Sequence, residues 1–422
     1  MATTHPHEPR VLRVYDIVVL GPTGYTGRFC AEHIVKNFPT DLIWAIAGRS
    51  PNKIKPIAEE LKALNPDRRE PDVLAVNIDP AELNELAQKT RLIINCIGPY
   101  ILYGTPVVEA CAKHGTHYVD VTGETPWLRQ IIGKYHETAK ANGSIIIPSL
   151  GFESAPADTL AWALVKRIRE DYSSQTRSVN SCIKDIKTAG ASGGTLHSIF
   201  SNFELLPVAK LLEGFLPFSL TDSSPPTDIP SEPISQRLFG SHYVRDLGIL
   251  TTSPNGMADV AIVNRSSSLM SELYGKRFYF TQHLCVRNYL MGAAIHLGFN
   301  LFMAVLLFPP VRWLLRRFVF APGAGPSLED VHGDYVEFNA VATADQNTTT
   351  PKKLFGKWTY RGSQYVLTGL LVAEAAMVIL KEEDKVRKVS RGGIVTPATL
   401  GQDYIDRLEK VGVHIETNVL EQ

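Results

Sequence analysis

The chain has 422 residues, 43 basic against 43 acidic side chains, and 44% hydrophobic residues. That length suggests two or three domains, the apolar share excludes a disordered chain, and zero net charge argues against a nucleic-acid footprint, which needs a basic excess or stripe. Cys30, Cys96, Cys111, Cys182 and Cys285 form no C-x-x-C pair, and His283 and His296 stand alone. A disulfide scaffold and a metal site are therefore not expected, and the balance fits a reduced, intracellular setting. Residues 1–13 hold no apolar core before a small-residue cleavage site, so no secretory leader is expected.

Residues 15–20, YDIVVL, read as a buried strand. The turn Gly21-Pro22-Thr23-Gly24-Tyr25-Thr26-Gly27 follows, and a helical pattern runs over 28–37. Strand, glycine-rich turn and helix together are the setting of a dinucleotide fingerprint, here spaced G-x-x-G-x-x-G. Gly21 permits the turn, Gly24 lets backbone N–H groups approach a pyrophosphate, and Gly27 lets helix and strand pack closely. The next strand, 42–47, ends in Gly48-Arg49-Ser50, with Lys53 close behind. An NAD site usually carries an acid at that end. Arg49, Ser50 and Lys53 instead suit a 2′-phosphate, so NADP(H) is expected over NAD(H).

Strands at 73–78, 92–97, 117–121 and 144–148 alternate with helices at 80–89, 106–114 and 127–141. This rhythm predicts an α/β fold with a parallel, doubly wound Rossmann sheet whose ligands sit at the carboxyl ends of the strands. Asp79 falls near the adenine edge, and Cys96, Gly98 and Pro99 run under the nicotinamide ribose. Cys96 is read as a packed thiol. Tyr100 and Tyr103 are candidate proton donors or carbonyl-orienting groups, and Glu124 a candidate substrate-binding acid or helix cap. Asp158, just before a helix over 159–169, reads as an N-terminal acid favoured by the helix dipole. None of the 15 tyrosines has Lys four residues later, which argues against the Tyr-x-x-x-Lys mechanism of short-chain dehydrogenases.

The motifs Gly21–Gly27, Ala47-Gly48-Arg49, Asn95–Tyr100, Tyr103–Cys111, Tyr118–Glu124, Gly151–Asp158 and Gly392–Ala398 resemble, in order, those of the saccharopine dehydrogenase-like oxidoreductases. The resemblance spans nearly the whole chain. It implies the fold and NAD(P) binding more firmly than the reaction. Some members resemble trans-acting enoyl reductases of polyketide or lipid synthesis, and others are lipid-droplet or membrane-associated proteins.

Beyond residue 169 the pattern changes to strand candidates at 178–187, 259–265, 335–343 and 357–362, a small-residue loop at 190–195, an exposed loop at 217–233, and an apolar helix at 365–380. The expected organisation is a Rossmann domain over 1–160, an α+β substrate or dimerisation domain over 161–364, and a C-terminal helical segment over 365–422 that returns to the first. Residues 289–308, YLMGAAIHLGFNLFMAVLLF, carry no formal charge, and 311–320 add Arg312, Arg316 and Arg317 opposite an apolar face. A surface anchor, a buried helix pair or dimer face, and a true span compete for this stretch. The combined expectation is an NADP(H)-dependent reductase of an apolar enoyl or carbonyl substrate, carrier-bound in one version, with a membrane or lipid-droplet surface and a second copy of the chain as partners. Saccharopine-type C–N chemistry and a non-enzymatic lipid-surface protein are the alternatives.

Overall fold

The computed structural model describes residues 13–188, 193–318 and 333–421. The expectation of a leaderless N-terminus, the loop at 190–192 and the last residues of the amphipathic stretch, Val319 and Phe320, lie outside them. Among the described residues the strands form two sheets of seven.

The first sheet is built from β1 (Tyr15–Leu20), β2 (Trp44–Gly48), β3 (Asp72–Ala75), β4 (Thr90–Asn95), β5 (His117–Asp120) and β6 (Ile145–Ile147). Between them run α1 (Tyr25–Asn37), α2 (Pro51–Leu64), α3 (Pro80–Lys89), α4 (Tyr100–His114) and α5 (Thr125–Ala141). The order is β6-β5-β4-β1-β2-β3, all parallel. Alternate residues of β1 serve opposite faces, as strand geometry demands. Ile17 and Val19 enter the core under α1 and α2, and Val18 and Leu20 the core under α3, α4 and α5. Leu20 is in register with Ala47 and with Asn95, so the loops that begin at Gly21, Gly48 and Cys96 leave the sheet side by side. The chain reverses its direction of winding between β1 and β4, which opens a crevice at that edge.

From α6 (Ala155–Tyr172) the chain enters the second sheet. Its elements are β7 (Thr176–Lys187), α7 (Gly193–Leu205), α8 (Val208–Gly214), α9 (Ile234–Phe239), β8 (His242–Val244), β9 (Gly248–Thr252), α10 (Gly256–Leu269), the short α11 (Ser271–Tyr274), β10 (Tyr279–Val286), α12 (Tyr289–Val305), α13 (Pro309–Leu315), β11 (Tyr335–Ala344) and β12 (Lys353–Arg361). The sheet is mixed: β7 and β10 are parallel, and the other pairings are antiparallel.

Residues 259–265, expected as a strand, lie inside α10. The run Ala261-Ile262-Val263 is apolar because α10 is buried between α6 and β10, and a short apolar run has the same composition in a buried helix and in a buried strand.

The C-terminal segment returns to the first sheet through α14 (Gln364–Lys381), which lies along α1. Buried Glu374 of α14 meets His33 of α1 at 2.7 Å and Arg407 at 2.5 Å. The segment also adds strands that the sequence reading lacks. β13 (Gly393–Ile394) extends the first sheet beside β6, and β14 (Val413–Val419) edges the second beside β12. Among the described residues α14 is long and apolar enough to cross a bilayer, but 78% of its apolar stretch is buried inside the fold. It is a core helix.

The stretch 289–315 is not one straight helix. α12 and α13 meet at 108° across the break before Pro309. Gly292 is the buried residue of α12, while Leu290 is 82% exposed, Leu301 65% and Phe308 61%. The expectation of a helix pair buried within the chain is therefore corrected. Phe200, Phe203, Leu211 and Leu306 form a small core from which the apolar surface projects.

Candidate functional site

At the end of β1 the chain turns through Gly21, whose φ of 87° favours glycine and whose Cβ would lie 2.6 Å from Ile97. A Cβ on Gly27 would overlap the carbonyl oxygen of Gly21, so α1 packs directly on the turn. Gly24 is different. It is the N-cap of α1, with φ −77° and ψ 157°, and a Cβ there would meet Gly21 O at 3.4 Å, an ordinary contact. Packing does not demand glycine at this position. No side chain caps α1, and no acid stands in its first turn. The N–H groups of that turn and the positive end of the helix dipole are thus left for an anion.

Beside this turn the side chains of Arg49 and Lys53 are exposed and make no hydrogen bond or ion pair among the described residues, and Ser50 begins α2 without using its hydroxyl as a cap. Two free cations stand where a ribose-binding acid would otherwise be. Asp79 caps α3, accepting from the N–H groups of Ala81 at 2.9 Å and Glu82 at 3.2 Å. The thiol of Cys96 lies against Cys30, and both are free cysteines. The hydrogen bond to Cys96 and burial push the Cys30 thiol well up, so it is a packed rather than a reactive group.

The candidate catalytic residues separate into committed and free groups. Tyr100 is buried. Its hydroxyl donates to the carbonyl of Asn95 at 3.0 Å and receives the N–H of Val121 at 3.4 Å, joining the ends of β4 and β5. Burial, with Asp120, Cys96 and Glu124 nearby, pushes its phenol well up. Glu124 accepts the N–H groups of Tyr100 at 2.8 Å and Ile101 at 2.9 Å, so its carboxylate closes the N-terminus of α4. Asn202 of α7 donates to it at 2.9 Å. Burial raises the Glu124 carboxyl, and these donors partly offset that shift. Tyr103 is 40% exposed and makes no hydrogen bond through its hydroxyl among the described residues.

Against this geometry stand the relatives. Residues 17–147 match the family described as saccharopine dehydrogenase NADP binding domain. That match spans most of the first sheet and its helices. The chain is also similar to a trans-acting enoyl reductase of Mycobacterium ulcerans, 29% identical over 97% of this chain and 99% of the relative. It is similar, at 29% identity over 97% of this chain and 98% of the relative, to a putative trans-acting enoyl reductase of Mycobacterium tuberculosis. In fold it is similar to the apo saccharopine dehydrogenase (L-Glu forming) of Saccharomyces cerevisiae, with a TM-score of 0.58 and 11% identity, covering 96% of this chain and all of that one.

The chain is an NAD(P)-dependent oxidoreductase with NADP(H) as cofactor. The uncapped turn at Gly24 and the free cations at Arg49 and Lys53 fit that cofactor. Around its site lie polar residues not singled out from the sequence. Asn95 donates to Tyr118, Tyr118 donates to Asp120 at 2.7 Å, and Asp120 accepts the N–H groups of Thr122 and Ser149. This network joins the ends of β4, β5 and the loop after β6. Burial pushes the Asp120 carboxyl up to about 7. Ser198 and Asn202 arrive from α7 and Asp259 from α10, far away in sequence. Isolated polar residues of that kind carry no sequence pattern. Buried carboxyls inside apolar runs, such as Asp158 and Asp259, were the available signal.

Proposed function

We propose that the chain reduces an apolar enoyl substrate, brought to it as a carrier-bound thioester, using NADPH, and that it works against a lipid surface. The observation that carries this reading is α7, a wall common to the cofactor crevice and the apolar patch. One face of α7 offers Asn202 to Glu124, with Ser198 Oγ 3.7 Å from where a Cβ on Gly98 would be. Phe200 and Phe203 pack against Leu211 and Leu306 at the root of the patch. An acyl chain on the patch is about one helix diameter, roughly 10 Å, from the crevice. The names of the mycobacterial relatives support the enoyl class.

In this reading the first-turn N–H groups that follow Thr23 and Gly24, from Tyr25 through Thr26 to Gly27, hold the pyrophosphate, and Arg49, Ser50 and Lys53 hold the 2′-phosphate. Asp79 orders the loop at the adenine edge through its cap. Cys96, Gly98 and Pro99 form the floor under the nicotinamide ribose. Bound NADPH supplies a hydride. Tyr100 and Glu124 are positioning residues, because their polar atoms are committed to the strand end and to α4. Tyr103 is free to orient a substrate carbonyl. The buried arginines Arg68, Arg265 and Arg312 each donate to a backbone carbonyl, which leaves them unsuited to grip the several carboxylates of an amino-acid adduct.

The lipid-facing reading rests on Leu290, Leu301, Phe308 and Trp313, all exposed on α12, α13 and the break between them, with Arg317 stacked over Trp313 at 3.8 Å. An aromatic–arginine pair beside an apolar face suits the headgroup level of a membrane. The test is NADPH consumption with trans-2-enoyl thioesters of increasing chain length, with and without anionic vesicles, alongside flotation of the chain with those vesicles. Rates that rise with chain length, and flotation lost in a L290S/W313S double variant, support the reading. Consumption only with charged imines of amino acids overturns the substrate class. A stable dimer whose formation hides the patch, read by sedimentation, overturns the lipid surface in favour of a second copy.

A further inference from the structure

The loop between β6 and α6 reads Pro148-Ser149-Leu150-Gly151-Phe152-Glu153-Ser154. Ser149 has φ 63° and Ser154 φ 134°, positive values that non-glycine residues rarely adopt. Such conformations persist where surrounding structure over-determines them, and they concentrate at functional sites. Here the loop is held by the Ser149 N–H, which donates to Asp120, and by the Phe152 N–H, which donates to Thr368 of α14 at 3.2 Å.

The result is that Glu153 folds over the end of β5. A Cβ on Gly123 would overlap Glu153 Oε2. The missing side chain at 123 is therefore the space the carboxyl occupies. The end of β5 is next to the end of β4, on the side of the β1/β4 crevice away from the adenine edge, so the carboxyl faces the nicotinamide half of the site.

Glu153 belongs to a group of buried acids with Asp158 of α6 and Asp259 of α10. Asp158 is committed: it accepts from the Ser266 hydroxyl at 2.6 Å and the Ala398 N–H at 2.8 Å. Asp259 Oδ1 is buried without a partner, and the Glu153 carboxyl makes no hydrogen bond among the described residues. Burial pushes the Glu153 carboxyl up. Burial, then the charges of Glu153 and Asp158, push Asp259 well up. The other carboxyls about the strand ends, Asp120 and Glu124, are acids as well, and the buried phenols of Tyr100 and Tyr118 and the thiol of Cys96 beside them bring no positive charge. Several carboxyls crowded in a low-dielectric site cannot all ionise, so protons remain there at neutral pH. Unlike Asp259, Glu153 keeps part of its surface open.

We propose that Glu153 is the proton donor of the reduction and that Asp259 is the positioning residue behind it. The inference rests on the enoyl reductase reading and names the residue that completes it. Hydride addition at the β-carbon of the enoyl thioester moves the carbon–carbon π pair to the α-carbon. The O–H bond of Glu153 then breaks, its proton forms the new α-carbon–hydrogen bond, and the pair stays on the Glu153 carboxylate. Water at the open edge returns the proton, so each turnover consumes one hydride from the nicotinamide cofactor and one solvent proton. This assignment gives the donor role to a carboxyl free of other bonds rather than to the committed Tyr100.

The test uses the full chain with E153Q, E153D and D259N. Infrared difference spectra of each against the parent, recorded without cofactor across a pH series, read the protonated carboxyl directly. The expected result is a protonated-carboxyl band at neutral pH that is absent in E153Q and retained in D259N, while loss of the Glu153 charge in E153Q displaces the Asp259 band toward lower pH. NADPH affinity is expected to stay within about twofold in all variants. On an enoyl thioester E153Q should lose about 10²–10⁴-fold in kcat with KM little changed, the span of general acid catalysis, and E153D should recover part of it. If E153Q retains its fold, NADPH binding and parental kcat, the proposal fails alone. If Glu153 is ionised at neutral pH, it fails as well. If the parent consumes NADPH with no enoyl thioester, the reductase reading is overturned and this assignment falls with it.

Discussion

Replacing Gly24 by Asp is expected to abolish NADPH binding while leaving the fold as stable as before, or slightly more so. The two effects have opposite signs because they act on the same N–H groups. Gly24 is the N-cap of α1, its backbone is extended, and a Cβ finds only ordinary contacts at 3.4 and 3.7 Å. Asp is favoured at such a position, since its carboxylate accepts from the first-turn N–H groups that no side chain now serves. The cap and the dipole together contribute about 0.5–1 kcal/mol to stability. The same carboxylate would stand about 4 Å from a bound pyrophosphate. At an effective dielectric constant of about 20, one pair of like charges at that distance costs about 4 kcal/mol, roughly a thousandfold in affinity. Titration of the NADPH fluorescence measures the loss, and a thermal melt measures the fold. Retained NADPH affinity would refute the assignment of this turn to the pyrophosphate. A collapsed melting curve would refute the claim that packing does not require glycine at this position.

Arg49→Ala removes a side chain without partners among the described residues, so stability should not change. NADPH affinity is expected to fall by about 1.5–3 kcal/mol, roughly 10–150-fold, with NADH affinity nearly unchanged; equal losses for the two cofactors would remove the 2′-phosphate role. Burial holds the carboxyls of Asp120 and Asp158 up to about 7 in the native state, while an unfolded Asp ionises near about 3.9. The native state therefore binds more protons between about pH 4 and 7, and stability should fall as pH rises through that window. Asp158→Asn, which keeps an acceptor for Ala398 and can donate to Ser266, should flatten the decline in Tm; an unaltered slope would mean that Asp158 is ionised throughout.

Much of the first domain was legible because its signals are local. A strand, its turn and the following helix lie within Tyr15–Asn37, and backbone geometry dictates Gly21 and Gly27 in any chain that makes this turn. Free cations at the end of β2 were legible for the same reason. The second domain was less so. Ala261-Ile262-Val263 reads alike in a buried strand and in a buried helix, and the packing of α10 against α6 and β10 decides between them. The roles at the strand ends also needed the fold. Tyr100 and Glu124 are attractive catalytic types in sequence, and their hydrogen bonds commit them to Asn95, Val121 and the N-terminus of α4.

Sequence alone determined the doubly wound sheet, the place of the glycine-rich turn and the concentration of apolar residues at 289–308, because each depends on residues within a few turns of one another. Tertiary structure decided what those features do together. It turned α12 and α13 through 108° and left their apolar faces outward. It set α7 between the root of that patch and Glu124 at the end of β5, and it brought Glu153, Asp158 and Asp259 into one acidic group. A carboxyl takes its protonation state from burial and neighbouring charge, and those arise from contacts between segments separated by as many as 240 residues, which no local pattern encodes.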